Sequence, residues 1–162
     1  MTAYTPGAAG AARHPRATTD RTLVQKVAGL VGVVFLVVGV AGFIPGVTTH
    51  YGDMTFAGHD SGAKLLGIFA VSVLHNVVHL LFGIAGLALA RTYAGAKNFL
   101  IVGGAVYLVL WLYGLIIDKT SNANFVPLNT ADNWLHFVLG VGMIALGVAL
   151  GRSAAGNAGY RR

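Results

Sequence analysis

The sequence predicts an all-α integral membrane protein, a four-helix bundle built from two parallel helical-hairpin repeats with both termini in the cytoplasm. Three observations predict it. Hydrophobic residues make up 56% of the 162 residues and charged residues only 10%, with a mean hydropathy of +0.71; soluble domains carry about a quarter charged residues. Four apolar runs each approach the roughly 20 residues that cross a bilayer. Lys and Arg collect on one side of the resulting topology, as the positive-inside rule requires.

The elements follow in chain order. Residues 1–22 are rich in Ala, Gly, Thr and Pro and read as a disordered cytoplasmic tail. A membrane domain is expected over 23–151, with spans at about 24–44, 66–90, 99–117 and 133–150, and a second cytoplasmic tail at 152–162. Basic residues precede the first span, as in a signal peptide. The run is longer than a signal's apolar core, and Pro45-Gly46-Val47-Thr48-Thr49-His50 is not a small-residue cleavage site. Pro45 to Gly62 reads as a polar outer loop. The next apolar run starts at Ala63 and ends at Ala90. Fully helical it measures about 42 Å, against a hydrocarbon core of about 30 Å, so it tilts or begins outside the core. Residues 91–98 are a short connection and 118–130 a polar loop containing Pro127. Asn129 or Thr130 caps the fourth span, which places Asp132 in its first turn, where the helix dipole favours a carboxylate.

Arg13, Arg16, Arg21, Lys26, Arg91, Lys97, Arg152, Arg161 and Arg162 fall on one side, and only Lys64 and Lys119 on the other. Both termini are therefore expected inside. Asp53, Asp60, Asp118 and Asp132 fall outside. The net charge of +6 is thus topological. It suits anionic lipid headgroups as partners and offers no folded basic surface for nucleic acid. A membrane-protein partner or a second copy of the chain is also open. The absence of Cys excludes disulfides, thiolate metal sites and thiol nucleophiles.

The second and fourth spans share a motif. His75-Asn76-Val77-Val78-His79-Leu80-Leu81-Phe82-Gly83 matches Asp132-Asn133-Trp134-Leu135-His136-Phe137-Val138-Leu139-Gly140. The first and third align more weakly, with Gly42 against Gly114. Two hairpins repeated in parallel follow from this pattern. Each motif helix carries one stripe at helical spacing: Ser72, His75, His79, Gly83, Gly86 and Ala90 on one, and Asn129, Asp132, His136, Gly140, Met143 and Gly147 on the other. Small residues permit close helix approach and polar ones bond across the interface. His79 lies about 17 Å and His136 about 21 Å from the cytoplasmic ends of their spans, at 1.5 Å per residue.

Three readings of this cluster are open. Asn76, Asn133, His79, His136 and Asp132 can form a polar network that fixes helix register. His75, His79, Asp132 and His136 can supply four N and O ligands to a metal such as zinc or copper. His79 and His136, at matched depth on two helices, can be the axial pair of a haem. The identity of any cofactor stays open. A proton path would use the same histidines, but no carboxylate lies deep in a span. No catalytic residue is assigned, because Ser72 and His75 have no third partner or oxyanion donor. His50, Asp53, His59 and Asp60 read as solvated loop polarity. Trp111, Tyr113, Trp134 and Tyr93 fit an aromatic belt. Gly42/Gly46 and Gly147/Gly151 form GxxxG pairs.

The stretches His75–His79, Tyr107–Trp111 and above all Asn124–His136 resemble an actinobacterial family of small four-span membrane proteins that carries a domain-of-unknown-function label. The resemblance covers about residues 24–150. It implies a four-span fold and a bacterial inner (plasma) membrane location, and no activity, ligand or catalytic residue. A looser likeness is to DoxX-type four-helix membrane proteins with accessory respiratory roles. The function expected is a non-enzymatic accessory or small-ligand-binding membrane protein. The alternative is a haem- or metal-binding redox protein using His79 and His136.

Overall fold

The computed structural model describes the backbone of residues 20–159 and the side chains of residues 20–152. Most of the tail expected at 1–22, and the last residues of the tail at 152–162, lie outside the described residues. The fold is mostly helical. Four helices run α1 Leu23–Ala41, α2 Val73–Leu89, α3 Tyr93–Ile116 and α4 Thr130–Gly159. Three of them, α1, α3 and the Thr130–Arg152 part of α4, are long and apolar enough to cross a membrane.

Helix α2 is the exception. Its 17 residues extend about 26 Å, less than the 66–90 span expected. Residues 64–72 are not helical. Lys64–Leu65 (β2) and Phe69–Ala70 (β3) form a hairpin, and β2 also pairs antiparallel with Thr48–Thr49 (β1), in the segment expected to be a plain loop. The turn explains why. Leu66 and Gly67 both take left-handed backbone, with φ of 53° and 73°, in the three-residue connection 66–68 between Leu65 and its partner Phe69, a tight hairpin loop. Apolar content alone does not distinguish a short buried strand from the first turns of a buried helix.

The caps are set by nearby polar side chains. Ser72 accepts from the His75 N–H at the start of α2, and Thr92 from the Gly95 N–H at the start of α3. Asn129 and Asp132 cap α4 reciprocally: the Asp132 N–H donates to Asn129 Oδ1 at 3.0 Å, and the Asn129 N–H to Asp132 Oδ2 at 2.9 Å. Gln25 works at two helices. Its Oε1 accepts from the Thr22 N–H before α1, and its Nε2 donates to the last carbonyls of α2, at Ala90 and Arg91. Thr48 closes the other end of α1 by donating to the carbonyls of Ala41 and Gly42.

Helices α1 and α2 pack antiparallel, as do α3 and α4, and both contacts rest on glycine. A Cβ on Gly32 would sit 2.9 Å from the Leu87 nitrogen and 3.0 Å from the Gly83 carbonyl oxygen. A Cβ on Gly104 would sit 2.8 Å from the Gly140 carbonyl oxygen. These are backbone atoms that cannot move aside. Gly42, Gly147 and Gly151, three of the four GxxxG residues, pack inside the chain, against Asn76, Leu100 with Ile101, and Lys97 respectively. The two hairpins meet through an aromatic core of Phe35, Phe82, Phe99 and Tyr107. Leu30, Val37, Val102, Val138 and other apolar residues on the outer helix faces are exposed.

Gly32→Ala and Gly104→Ala are each expected to lower stability by about 1–3 kcal/mol, the usual cost of overpacking. Gly142→Ala, at a position with nothing within 4 Å, should leave it unchanged. Thermal unfolding in detergent, followed by circular dichroism, checks all three.

Candidate functional site

The site forms where the N-terminal halves of α2 and α4 meet the hairpin and the 118–129 connection. Both polar stripes are turned inward. Ser72, His75, Gly83, Gly86 and Ala90 are buried on α2, and Asp132, His136, Gly140, Met143 and Gly147 on α4. Exposed apolar residues occupy the outward faces, so helical periodicity alone brings the histidines into the interior.

His75, His79 and His136 line two cavities in common. The smaller, about 120 Å³, is bounded on its other sides by the hairpin (Leu65, Leu66, Phe69), Val38 and Asp132. The larger, about 320 Å³, is bounded by Tyr107, Leu110, Tyr113, Phe125 and Leu128. The three imidazoles thus form a partition between a space under the hairpin and a space against α3. The rings are in contact: His75 and His79 are 4.6 Å apart, His79 is 5.6 Å from Phe35, Phe35 is 5.5 Å from Tyr107, and Tyr107 is 5.1 Å from His136.

The polar atoms of the partition divide into two kinds. Nδ1 of all three histidines is enclosed and without a hydrogen-bond partner among the described residues. Nε2 of His79 and of His136 also has no partner among the described residues but is not enclosed, so it faces open cavity space. The His75 side chain likewise makes no hydrogen bond among the described residues. An unpaired acceptor is tolerated in a protein interior better than an unpaired N–H. The neutral tautomer that strands no N–H therefore carries its proton on Nε2 in His79 and His136, both of which line both cavities.

Asp132 is buried, and it holds the hairpin to α4. Its Oδ2 accepts from the N–H of Ala70 at 2.9 Å as well as from Asn129, while Asn129 Nδ2 donates to the Ile68 carbonyl at 2.7 Å. Asn76 and Asn133 line neither cavity. Asn76 packs where a Cβ on Gly42 would otherwise stand, and Asn133 does the same at Gly114. Among the described residues each amide oxygen is buried without a partner, and the one side-chain hydrogen bond of Asn76 is a long contact to Met54 Sδ. No hydrogen bond joins any two of Asn76, His79, Asp132, Asn133 and His136 among the described residues. Nor does any group of three or more His, Cys, Asp or Glu there stand close enough to hold a metal ion. The set His75, His79, Asp132 and His136 shares one cavity wall, with its carboxylate already engaged by backbone.

The connection from α3 to α4 is rigidly tied. Asn124 donates to the carbonyls of Lys119 and Leu128 and accepts from the Leu128 N–H. Tyr113 donates to the Ala123 carbonyl, and Lys119 to the Gly114 carbonyl. Of the loop residues, His50 stands 3.9 Å from Asp53 and His59 3.2 Å from Asp60, all at the surface or close to it.

A family described as a domain of unknown function (DUF4383) matches residues 25–149. The chain belongs to this family. No curated protein and no solved structure matches it. The DUF4383 match spans the whole site, from Gln25 through the histidine partition to the glycine contacts of α4. The histidine and asparagine positions were legible in the sequence because charge and amide are rare in apolar helices. Phe35 and Tyr107 were not singled out. They align in the same register that pairs Gly42 with Gly114, which was the available signal. The hairpin wall gave no signal beyond Gly67.

Asp132→Ala removes two backbone hydrogen bonds to a carboxylate. It is expected to cost about 1–3 kcal/mol and to raise amide exchange at Ala70 and Asn129 together. Asp118, outside the helices, is held below the usual carboxylate range by the Thr120 N–H and then by its hydroxyl. Its depressed folded pKa means that the stabilisation of this turn is present above the unfolded value and is lost as pH falls through the folded one. The Thr120 amide resonance should therefore stay fixed through neutral pH and move only in acid beyond the ordinary Asp titration.

Proposed function

We propose that this is a four-span membrane protein of two parallel hairpin repeats, with both termini cytoplasmic, in a bacterial plasma membrane. It binds a small, largely apolar ligand against the histidine partition and performs no chemistry of its own. The observation that carries the binding reading is the larger cavity: about 320 Å³, walled mainly by apolar side chains, with His79 and His136 unpartnered on one side. Small-molecule sites are concave and mostly apolar, with a few convergent polar groups, and this volume lies at the low end of their range.

The repeat reading draws on matched contacts. A shift of 72 residues takes Gly32, Phe35 and Gly42 to Gly104, Tyr107 and Gly114, and one of 57 takes Asn76, His79 and Gly83 to Asn133, His136 and Gly140. Gly32–Gly83 then corresponds to Gly104–Gly140, Gly42–Asn76 to Gly114–Asn133, and Phe35–His79 to Tyr107–His136. The topology reading draws on charge. Arg21, Lys26, Arg91, Lys97 and Arg152 sit at one end of the antiparallel hairpins, which the positive-inside rule assigns to the cytoplasm. The short α2 completes a crossing because the hairpin covers its outer end, and buried backbone at that depth is tolerated when protein surrounds it.

The competing reading, a haem or metal on His79 and His136, rests on the same two Nε2 atoms. An absorption spectrum and elemental analysis of protein purified in mild detergent separate the two. The binding reading expects no Soret band, no stoichiometric metal, and an organic molecule recovered on solvent extraction of the wild type. A Soret band, or about one metal per chain lost in His79→Ala and His136→Ala, overturns it. Reporter fusions at residues 91–98 and at 118–129 should report cytoplasm and exterior respectively; the reverse pattern defeats the topology.

A further inference from the structure

The two cavities that share the histidine partition are closed to different degrees on the outer faces of the bundle. The larger one has an exposed rim and a buried floor. Val78 on α2, Val109 on α3 and Phe125 in the following connection line it and are 43%, 64% and 57% exposed. His75, Tyr107 and His136 line its far side and are 4–5% exposed. The rim residues on α2 and α3 belong to the same outward, apolar faces as Leu81, Val102 and Val106. In a bilayer those faces meet lipid. The cavity therefore opens sideways, between the two hairpins, to the acyl region.

Its floor is not what an acyl tail needs. A dry apolar pocket holds hydrocarbon without polar help, and burying imidazole edges without partners costs free energy. Nδ1 of each histidine is enclosed, so the neutral tautomer that leaves no N–H stranded carries its proton on Nε2. His79 and His136 both line this cavity, and a ligand there would supply the partner that their Nε2–H groups lack among the described residues. Tyr107 and Phe125 add aromatic faces. No cationic side chain lines the cavity, so an anionic head is poorly matched.

We infer that the larger cavity takes a lipid-soluble carbonyl compound, which enters from the membrane between α2 and α3 at Val78 and Val109 and seats its oxygen on Nε2–H of His79 and His136. This rests on the ligand-binding reading above and names the class of ligand. Such an oxygen accepts what the two donors offer, and its apolar body fills the rest of the wall. Ring carbonyls of the quinone type and long-chain aliphatic ketones share this chemistry. The absence of Cys lets a quinone serve as a probe without thiol addition.

The test uses the full chain in nanodiscs of phosphatidylcholine and phosphatidylglycerol. A decyl-substituted benzoquinone is titrated while Trp111 and Trp134 fluorescence is followed, and decylbenzene and 2-dodecanone are then used to displace it. Saturable quinone binding is expected, with decylbenzene at least roughly tenfold weaker, the worth of a hydrogen bond or two. Displacement by 2-dodecanone with an affinity equal to that of the quinone upholds the carbonyl and marks the aliphatic source. Weaker displacement, still stronger than by decylbenzene, upholds it and marks the ring source. His136→Phe keeps a ring in place and should erase most of the preference for carbonyl over decylbenzene. Val109→Trp changes an exposed residue, so folding survives even where the histidine variant fails. It should weaken every probe at least roughly tenfold by blocking the rim, with the melting temperature unchanged. Equal affinity for quinone and decylbenzene overturns the inference and leaves a small-ligand site of acyl type. Unaltered binding in Val109→Trp overturns the route of entry. Non-saturable partition of every probe, with no molecule extracted from the purified wild type, takes down the binding reading as well.

Discussion

The close approach of helix backbones at glycine is the contact on which the rest of this structure depends. Gly32 meets Gly83, and Gly104 meets Gly140, with main-chain atoms where a side chain would otherwise stand. In lipid, apolar side chains gain little by leaving their surroundings for one another. Helix pairs are held by dispersion at short range and by hydrogen bonds. Removing the Cβ at these positions brings many atoms within that range. It also fixes the register of each pair, since slip would bring Val31 or Val33 to the place of Gly32, and Leu139 or Val141 to that of Gly140. Asn76 and Asn133 occupy the matching spaces at Gly42 and Gly114 one end of the contact further on. The amides lock rotation as well as translation.

Register, in turn, decides the chemistry of the outer half. With α2 and α4 held on their neighbours, His75, His79 and His136 converge, and Phe35 and Tyr107 stand between the hairpins in ring contact with His79 and His136. A histidine in an apolar wall is stable only if its hydrogen-bonding edges are satisfied or are kept for a ligand. Here all three line both cavities, and none of their side chains makes a hydrogen bond among the described residues.

The cap over the bundle follows from the same economy of polar groups. A helix shorter than the bilayer core leaves its first N–H groups at a depth where water is scarce. Ser72 takes one of them, and the three-stranded sheet covers the end. The sheet is small, and Asp132 and Asn129 of α4 tether it through Ala70 and Ile68. One carboxylate caps its own helix and anchors the hairpin that forms the wall of the smaller cavity.

Much of this was determined by the sequence itself. Helices are local: their hydrogen bonds close within four residues, and apolar runs with polar stripes reveal both their existence and their buried faces. Hence four helices, the inward histidines, the Asn129 cap and the correspondence of Gly42 with Gly114 could be read from spacing, whereas the seating of Asn76 and Asn133 against those glycines could not. Tertiary structure decided what depends on distant partners. Strands β2 and β3 read as the beginning of α2, because Leu65, Leu66, Ile68 and Phe69 are as apolar as a helix start. Their strand state is set by pairing with Thr48–Thr49 and by the left-handed turn at Leu66-Gly67. Of the polar network open to His, Asn and Asp, the structure shows the backbone part, at Asp132; which side chains reach one another across an interface depends on rotamer and helix distance, neither of which is written in residue order. The two cavities belong to this second class. Their volume is what remains after four helices and a hairpin have packed, and only the packing determines it.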